Sequence, residues 1–191
     1  MSIFARRLAT IVSWIGHPLA FITISVAIVL ATQQGGLTLL LTIFLAVIAP
    51  MAMLLFLGVR LGRWSDADVS AREERKRFYP VAIPLSAAGT IAMWLANAPR
   101  YILRGGVVML ALLIVAAVTN LRFKLSLHTM FASYCTTILF RVNVFCGIVA
   151  FMLTALVFWS RLFLARHTLP ETIVGGVMGT LGGIAAAWMS I

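Results

Sequence analysis

Charged residues are scarce in this sequence, and acidic residues most of all. Only 10% of the 191 residues are charged and five are acidic, whereas 62% are hydrophobic. An average soluble domain carries roughly 25% charged residues, so the composition excludes an ordinary soluble protein. The chain also has no long polar segment, acidic tail or internal repeat. We therefore predict a single membrane-embedded domain that covers residues 1–191.

Residues that commonly bind metals or form disulfides are also few. Cys135 and Cys146 lie in apolar stretches without the spacing of metal ligands, and are interpreted as small buried hydrophobic residues rather than a disulfide. Asp66 and Asp68 share one loop, but two carboxylates are a weak signal for a metal site. We expect no metal and no other cofactor.

Long apolar runs are abundant instead. A membrane-spanning helix needs about 20 apolar residues, and windows of this kind fall at about 10–32, 37–59, 79–98, 104–121, 127–141, 143–163 and 170–191. The first run is too long for a signal peptide and is interpreted as a retained helix. The fifth and sixth windows together are too long for one crossing, and two polar residues, Arg141 and Asn143, indicate a tight hairpin between them. These patterns predict an all-α integral membrane bundle of six to seven transmembrane helices.

The basic residues are distributed unevenly between the two faces of such a bundle. If the spans alternate, the N-terminus and the connections near 60–78, 122–126 and 160–169 share one face, which holds 12 of the 15 Lys and Arg residues. The positive-inside rule places this face in the cytoplasm of a cell (inner) membrane protein. Because the charges lie in short connections between apolar segments, the net charge of +10 indicates anionic lipid rather than nucleic acid as the partner.

Polar residues on the shared face form three groups. In the first, SDADVSAREERKRFYP, Ser70 precedes Glu73 by three residues. This spacing is typical of a capping box that starts a helix, with Arg72 and Arg75 projecting from neighbouring positions. The alternative interpretation is a solvated amphipathic linker without a functional role.

The second group, FKLSLHTM, stands at the predicted start of a membrane helix. The free N–H groups and positive dipole end of a helix N-terminus favour an anion beside Lys124 and Ser126. Taken alone, Ser126 is more often an N-cap and Lys124 a membrane-surface anchor. His128 in the first turn has no such structural explanation.

The third group is the stretch SRLFLARHTLPE, residues 160–171. Glu171 follows His167 by four residues, so its carboxylate can accept a hydrogen bond from one ring nitrogen and leave the other free to attack. Arg161 offers a fork of donors for two phosphate oxygens. A capping box between Thr168 and Glu171 explains part of the pattern structurally. We take His17 as a structural histidine inside the first span, which leaves His128 as the second catalytic candidate.

These three groups resemble the signature of the type 2 phosphatidic acid phosphatase superfamily. The stretch from Ser160 to His167 matches its Ser-Arg, five residues, His element, and the second group resembles its Pro-Ser-Gly-His element. The first group resembles its Lys, six residues, Arg-Pro element, with Arg72 in the Lys place and Pro80 in the Pro place. Glu171 replaces the usual Asp, and Tyr79 stands where the Arg is expected, so Arg75 is our candidate for the missing charge.

The resemblance implies a metal-independent membrane lipid phosphatase with an interfacial active site and a catalytic core of about residues 60–185. His167 would form a phosphohistidine, Glu171 would orient it, and His128 would protonate the leaving lipid oxygen. The phosphate would be held by Arg72, Arg75, Lys124, Ser126 and Arg161, Lys124 being our addition from its position. The substrate is expected to be a lipid phosphate or diphosphate, polyprenyl or phosphatidic acid in type.

Two other functions stay open at this point. The departures in the first two elements leave a non-catalytic lipid-phosphate-binding or transport protein as one alternative. A lipid phosphotransferase with the same site is the other. Gly175, Gly179 and Gly183 form a small-residue face on the last span, which predicts close helix packing within the chain or in a possible homodimer.

Overall fold

The computed structural model describes residues 3–188, and all of their regular structure is helical. The helices are α1 (Ile3–Ile15), α2 (Pro18–Thr32), α3 (Leu37–Ile43), α4 (Ala49–Arg60), α5 (Arg72–Leu95), α6 (Arg100–Asn120), α7 (Leu127–Val142), α8 (Val144–Phe163) and α9 (Leu169–Trp188). A π-helical turn, Phe44–Ile48, joins α3 to α4, so these two form one continuous apolar segment.

Five of these segments are long and apolar enough to cross a membrane: Leu37–Arg60, α5, α6, α8 and α9. The pair α1 and α2, bent by 52° at its break, is a sixth if it is counted as one span. The predicted fifth window forms α7, which has only 16 residues, about 24 Å at 1.5 Å per residue. Eleven of them are buried, so α7 is a central helix shielded by its neighbours.

The hairpin between α7 and α8 is confirmed. Asn143 ends α7 and caps α8, because its Oδ1 accepts a hydrogen bond from the Cys146 backbone N–H at 3.0 Å. Its backbone is extended, with φ −156° and ψ 121°, and this single non-helical residue reverses the chain. The backbone N–H of Asn143 is also paired, because it donates a hydrogen bond to the Leu139 carbonyl.

The glycine face of α9 packs against α7 inside the chain. A Cβ added at Gly179 would lie 1.9 Å from the carbonyl oxygen of Met130, and one at Gly175 would lie 2.6 Å from that of Ser126. Only glycine permits backbones to approach this closely. The contact fixes the start of α7 against the start of α9, and both helix starts carry predicted site residues.

Two local expectations are wrong. The cap of α5 is Ala71, without a side-chain hydrogen bond, and the Ser70 hydroxyl instead accepts one from Arg166. The helix that begins there is no short amphipathic element, because α5 continues through Pro80 and Pro84 to Leu95. The functional consequence is that Arg75 lies one turn inside a long membrane helix.

Candidate active site

Three connections meet at one end of the bundle, as the sequence predicts, and the end of α1, which was predicted to lie within the first span, joins them there. Arg166 Nη1 donates to Asp66 Oδ2 at 2.6 Å and so joins the loop before α9 to the loop before α5. Lys124 Nζ donates to the Arg166 carbonyl at 2.7 Å and adds the loop before α7. Arg161 Nη1 donates to Ser13 Oγ at 2.7 Å, which brings in the end of α1.

His167 has the orientation that a nucleophilic histidine requires. Its Nδ1 lies 2.8 Å from Glu171 Oε2, and the same oxygen accepts the Thr168 backbone N–H at 3.1 Å, as in a capping box. Its Nε2 is buried and has no hydrogen-bond partner within residues 3–188. One ring nitrogen is thus fixed by the carboxylate, and the other is available for reaction.

The turn between α8 and α9 places Arg161 beside His167. The backbone N–H groups of Arg166 and His167 both donate to the Arg161 carbonyl, and Ala165 takes a left-handed conformation with φ 51°. The Arg161 side chain is fully buried. Its Nη1 is held by Ser13 and Asp68, whereas Nε and Nη2 have no partner in the described part of the chain.

His128 lies on the other side of Arg161, joined to it through Asp68. The Asp68 carboxylate accepts a 2.6 Å hydrogen bond from Arg161 Nη1 and lies 3.5 Å from His128 Nε2. Burial raises the pKa of Asp68, but the neighbouring His128 and Arg161 outweigh it and hold the pKa well below its usual range. Asp68 is therefore an ionised link between the two predicted site residues.

Arg75 is a buried cation without a paired carboxylate. Its side chain is fully buried, and it donates to the carbonyl oxygens of Val69 and Leu125. No carboxylate of the described residues lies within 4 Å of it, and its Nη2 has no hydrogen-bond partner. An uncompensated buried charge costs several kcal/mol, so this position favours an anion.

The electrostatics keep His167 neutral. Burial, together with the positive charges of Arg75, Lys124 and Arg161, lowers the pKa of His167 far below its usual range. His128 is close enough to contribute in the same direction. Burial also lowers the pKa of Lys124, with a further contribution from Arg75. The cluster thus holds an uncharged imidazole among several cations.

Two predicted phosphate ligands have structural partners, although Ser126 stays beside the cluster, where its backbone N–H donates to the Glu171 carbonyl. The Arg72 guanidinium donates to the Asn120 carbonyl at 2.8 Å and to that of Leu121, so it caps the C-terminal end of α6 instead of facing the histidines. The Ser126 hydroxyl accepts a hydrogen bond from the Thr129 backbone N–H at 3.5 Å. It therefore has the N-cap role that the sequence offered as the alternative to phosphate binding. The remaining predicted residues, Arg75, Lys124, His128, Arg161, His167 and Glu171, form one cluster.

Sequence reasoning missed Asp68, Ser13 and His17. Asp68 and Ser13 contact Arg161 from 93 and 148 positions away, and no local pattern reports such contacts. The placement of His17 inside the first span, away from the site, is wrong. Its Nδ1 caps α2 by accepting from Leu19 N, but its ring lies edge-on to His128 with centroids 5.5 Å apart.

The fold and its apolar helices are those of an all-helical, multi-pass membrane protein. Comparison with protein-family models, with curated proteins and with solved structures finds no match for the chain. The likeness to the phosphatase superfamily therefore rests on the motif residues of the sequence alone.

Proposed function

We propose that the protein is a membrane lipid phosphatase that hydrolyses a phosphate or diphosphate ester through a phosphohistidine on His167. One observation carries the proposal: a neutral, carboxylate-oriented histidine has a free Nε2 and lies within the electrostatic influence of Arg75 and Arg161, whose guanidinium groups keep unpartnered donors. This combination supplies both a nucleophile and the positive charge that phosphoryl transfer requires.

The first step joins His167 to the phosphoryl group. The lone pair on Nε2 forms the N–P bond while the bond from phosphorus to the lipid oxygen breaks, and Nδ1–H stays hydrogen-bonded to Glu171. Arg161 presents Nε and Nη2 to two oxygens, and Arg75 and Lys124 add charge. The departing lipid oxygen takes a proton from His128, whose Nε2 lies 3.5 Å from the Asp68 carboxylate.

The second step releases phosphate. A water oxygen forms the new bond to phosphorus, the N–P bond breaks, and the proton lost by the water returns to His128. Charge and atoms balance over the cycle, since one ester and one water give one lipid alcohol and one phosphate. With its basic face at the inner surface, the protein would act from the cytoplasm on a polyprenyl or phosphatidic acid type of substrate.

The test is phosphate release from detergent-solubilised lipid phosphates and diphosphates in excess EDTA. We expect release by the parent protein, a loss of about 10³-fold or more in His167→Ala, and a large loss in His128→Ala. Glu171→Gln should also lose activity, whereas Glu73→Gln, which alters an exposed pair with Lys76, is the matched control and should not.

The alternatives give different results in the same assay. Absence of release from every lipid, with retained binding of the lipid phosphate, would contradict the phosphatase and favour a binding or transport protein. Transfer of the phosphoryl group to an added alcohol in preference to water would favour a phosphotransferase. Activity that survives His167→Ala would exclude the phosphohistidine.

A further inference from the structure

A cavity of about 470 Å³ lies inside the bundle between α2, the α3–α4 segment, α5, α6 and α7. Most of its wall is apolar, with contributions from Met51, Met109 and Phe131. A volume of this size falls in the roughly 300–1,000 Å³ range of small-molecule sites. It is therefore large enough to hold a ligand and is not a packing defect of water size.

The two ends of the cavity differ in chemistry. One end is formed by His17, Asp68 and His128, and the other reaches Gln33 and Arg141 at the opposite end of the bundle. His167, Arg75 and Arg161 do not line it. The cavity thus reaches the candidate site at His128, the proposed proton donor. The leaving oxygen of the substrate would lie at this point.

We propose that this cavity binds a hydrocarbon chain of the substrate along the length of α2. The inference rests on the proposed function for the position of the phosphate. With the phosphorus between His167 and His128, the ester oxygen faces His128 and the chain continues along α2. The chain then extends along the cavity towards Arg141.

The length of the cavity fits an extended hydrocarbon chain. Its wall follows α2 from His17 to Gln33, which is about 24 Å at 1.5 Å per residue. Carbon–carbon bonds of about 1.5 Å advance an extended chain by roughly 1.25 Å each, so this length corresponds to about 15 to 20 carbons.

The cavity selects by shape more than by hydrophobic affinity. A lipid chain that moves from the bilayer into the bundle exchanges one apolar environment for another, so little driving force comes from burial alone. The length of the chain that the cavity can hold should therefore decide which substrates react well.

Blocking the cavity at a known depth gives a quantitative test with alkyl phosphates of 8 and 16 carbons. Val26 lines the cavity nine residues beyond His17, about 13 Å along α2, so Val26→Phe should leave room for the shorter chain only. We expect kcat/KM to fall at least about tenfold for 16 carbons and by less than about twofold for 8. The matched control is Ile24→Phe, because Ile24 is 55% exposed on the outer face of the same helix.

A second measurement does not depend on turnover or on the fold of a variant. The parent protein is photo-cross-linked with a non-hydrolysable alkyl phosphonate of 16 carbons that carries a diazirine at the chain end. Labels on cavity residues support the proposal, and labels confined to outward-facing residues such as Met152, which is 64% exposed, overturn it. If the cavity is labelled but no lipid is hydrolysed, the chain site stands and the phosphatase is rejected. If lipids are hydrolysed but only outward-facing residues are labelled, the phosphatase stands and the chain site is rejected.

Discussion

The two halves of the bundle, α7 to α9 and α2 to α6, are packed differently. The tightly packed half carries the proposed nucleophile, and the loosely packed half contains the cavity proposed for the substrate chain. Where α7, α8 and α9 meet, backbones touch through glycines, and 39% of the apolar window of α9 is buried. In the half built from α2 to α6, the corresponding share is 22% for both Leu37–Arg60 and α6, and the long cavity lies there. Tight packing holds the nucleophile and its charges in register, whereas loose packing leaves space for a chain.

Removing the proposed proton donor should produce the largest loss of activity among these variants. His128 stands where they meet, because it belongs to α7 and also lines the cavity. For His128→Ala we expect kcat/KM, which reports the first step, to fall by about 10²–10⁴-fold on an alkyl phosphate. A p-nitrophenyl ester, whose leaving oxygen needs no proton, should lose far less. Equal losses on both esters would contradict the role of proton donor.

A pair of glycine substitutions compares the packing of the halves directly. In Gly179→Ala the new Cβ would meet the Met130 carbonyl at 1.9 Å, so α7 and α9 must separate, at a cost of about 1–3 kcal/mol. We expect Tm in detergent to fall by several degrees, and activity to fall with it. In Gly106→Ala the nearest atom is the flexible end of Met93 at 3.0 Å, and Tm should hardly change. Similar shifts for both variants would show that the halves do not differ in packing.

Neutralising one cation should move the pH profile. Because the cations around His167 depress its pKa, the ring stays neutral well below pH 6, and the acid limb of kcat/KM due to this residue lies at low pH. In Lys124→Gln one source of depression is lost, so the pKa rises and this limb moves to higher pH. We also expect a KM increase of about tenfold, equivalent to about 1.4 kcal/mol. The exposed Arg122, changed to Gln, is the matched control and should leave the profile in place.

Single cysteine substitutions at exposed positions, which should affect activity least, report which side of the membrane the site faces. Ser65 lies at the end of the bundle that carries the site and Asn97 follows α5 at the opposite end, both exposed. Single cysteines at these positions, in a chain with Cys135 and Cys146 replaced, are labelled by an impermeant reagent in intact cells. We expect reaction at 97 and protection at 65. Labelling at 65 from outside would reverse the orientation.

The sequence patterns that act locally predicted structure well. The spacing of His167 and Glu171 placed them on one turn of chain, and the structure joins them at 2.8 Å. The polar break at Asn143 became the hairpin because a lone capping residue is sufficient to start α8. The alternation of spans predicted that three connections share one face, and cross-loop contacts such as Arg166 to Asp66 bring them together.

What escaped prediction depends on contacts between distant parts of the chain. Asp68 joins Arg161 to His128 only because the bundle brings a loop of α5 over the start of α7. His17 reaches the site because the bend between α1 and α2 falls at the depth of His128. Arg72 was assigned by motif position, but the start of α5 turns its side chain to the end of α6. In these cases the tertiary arrangement, rather than residue spacing, decides which side chains meet.

The most direct test of the account is to identify the phosphorylated residue. The parent protein is mixed with a lipid phosphate labelled with ³²P, quenched in alkali within milliseconds to preserve phosphohistidine, digested and analysed by mass spectrometry. We predict an acid-labile label on His167, absent from His167→Ala and present in the exposed-site control Glu73→Gln. A label on another residue, or turnover without any labelled protein, would contradict the central claim that His167 carries the phosphoryl group.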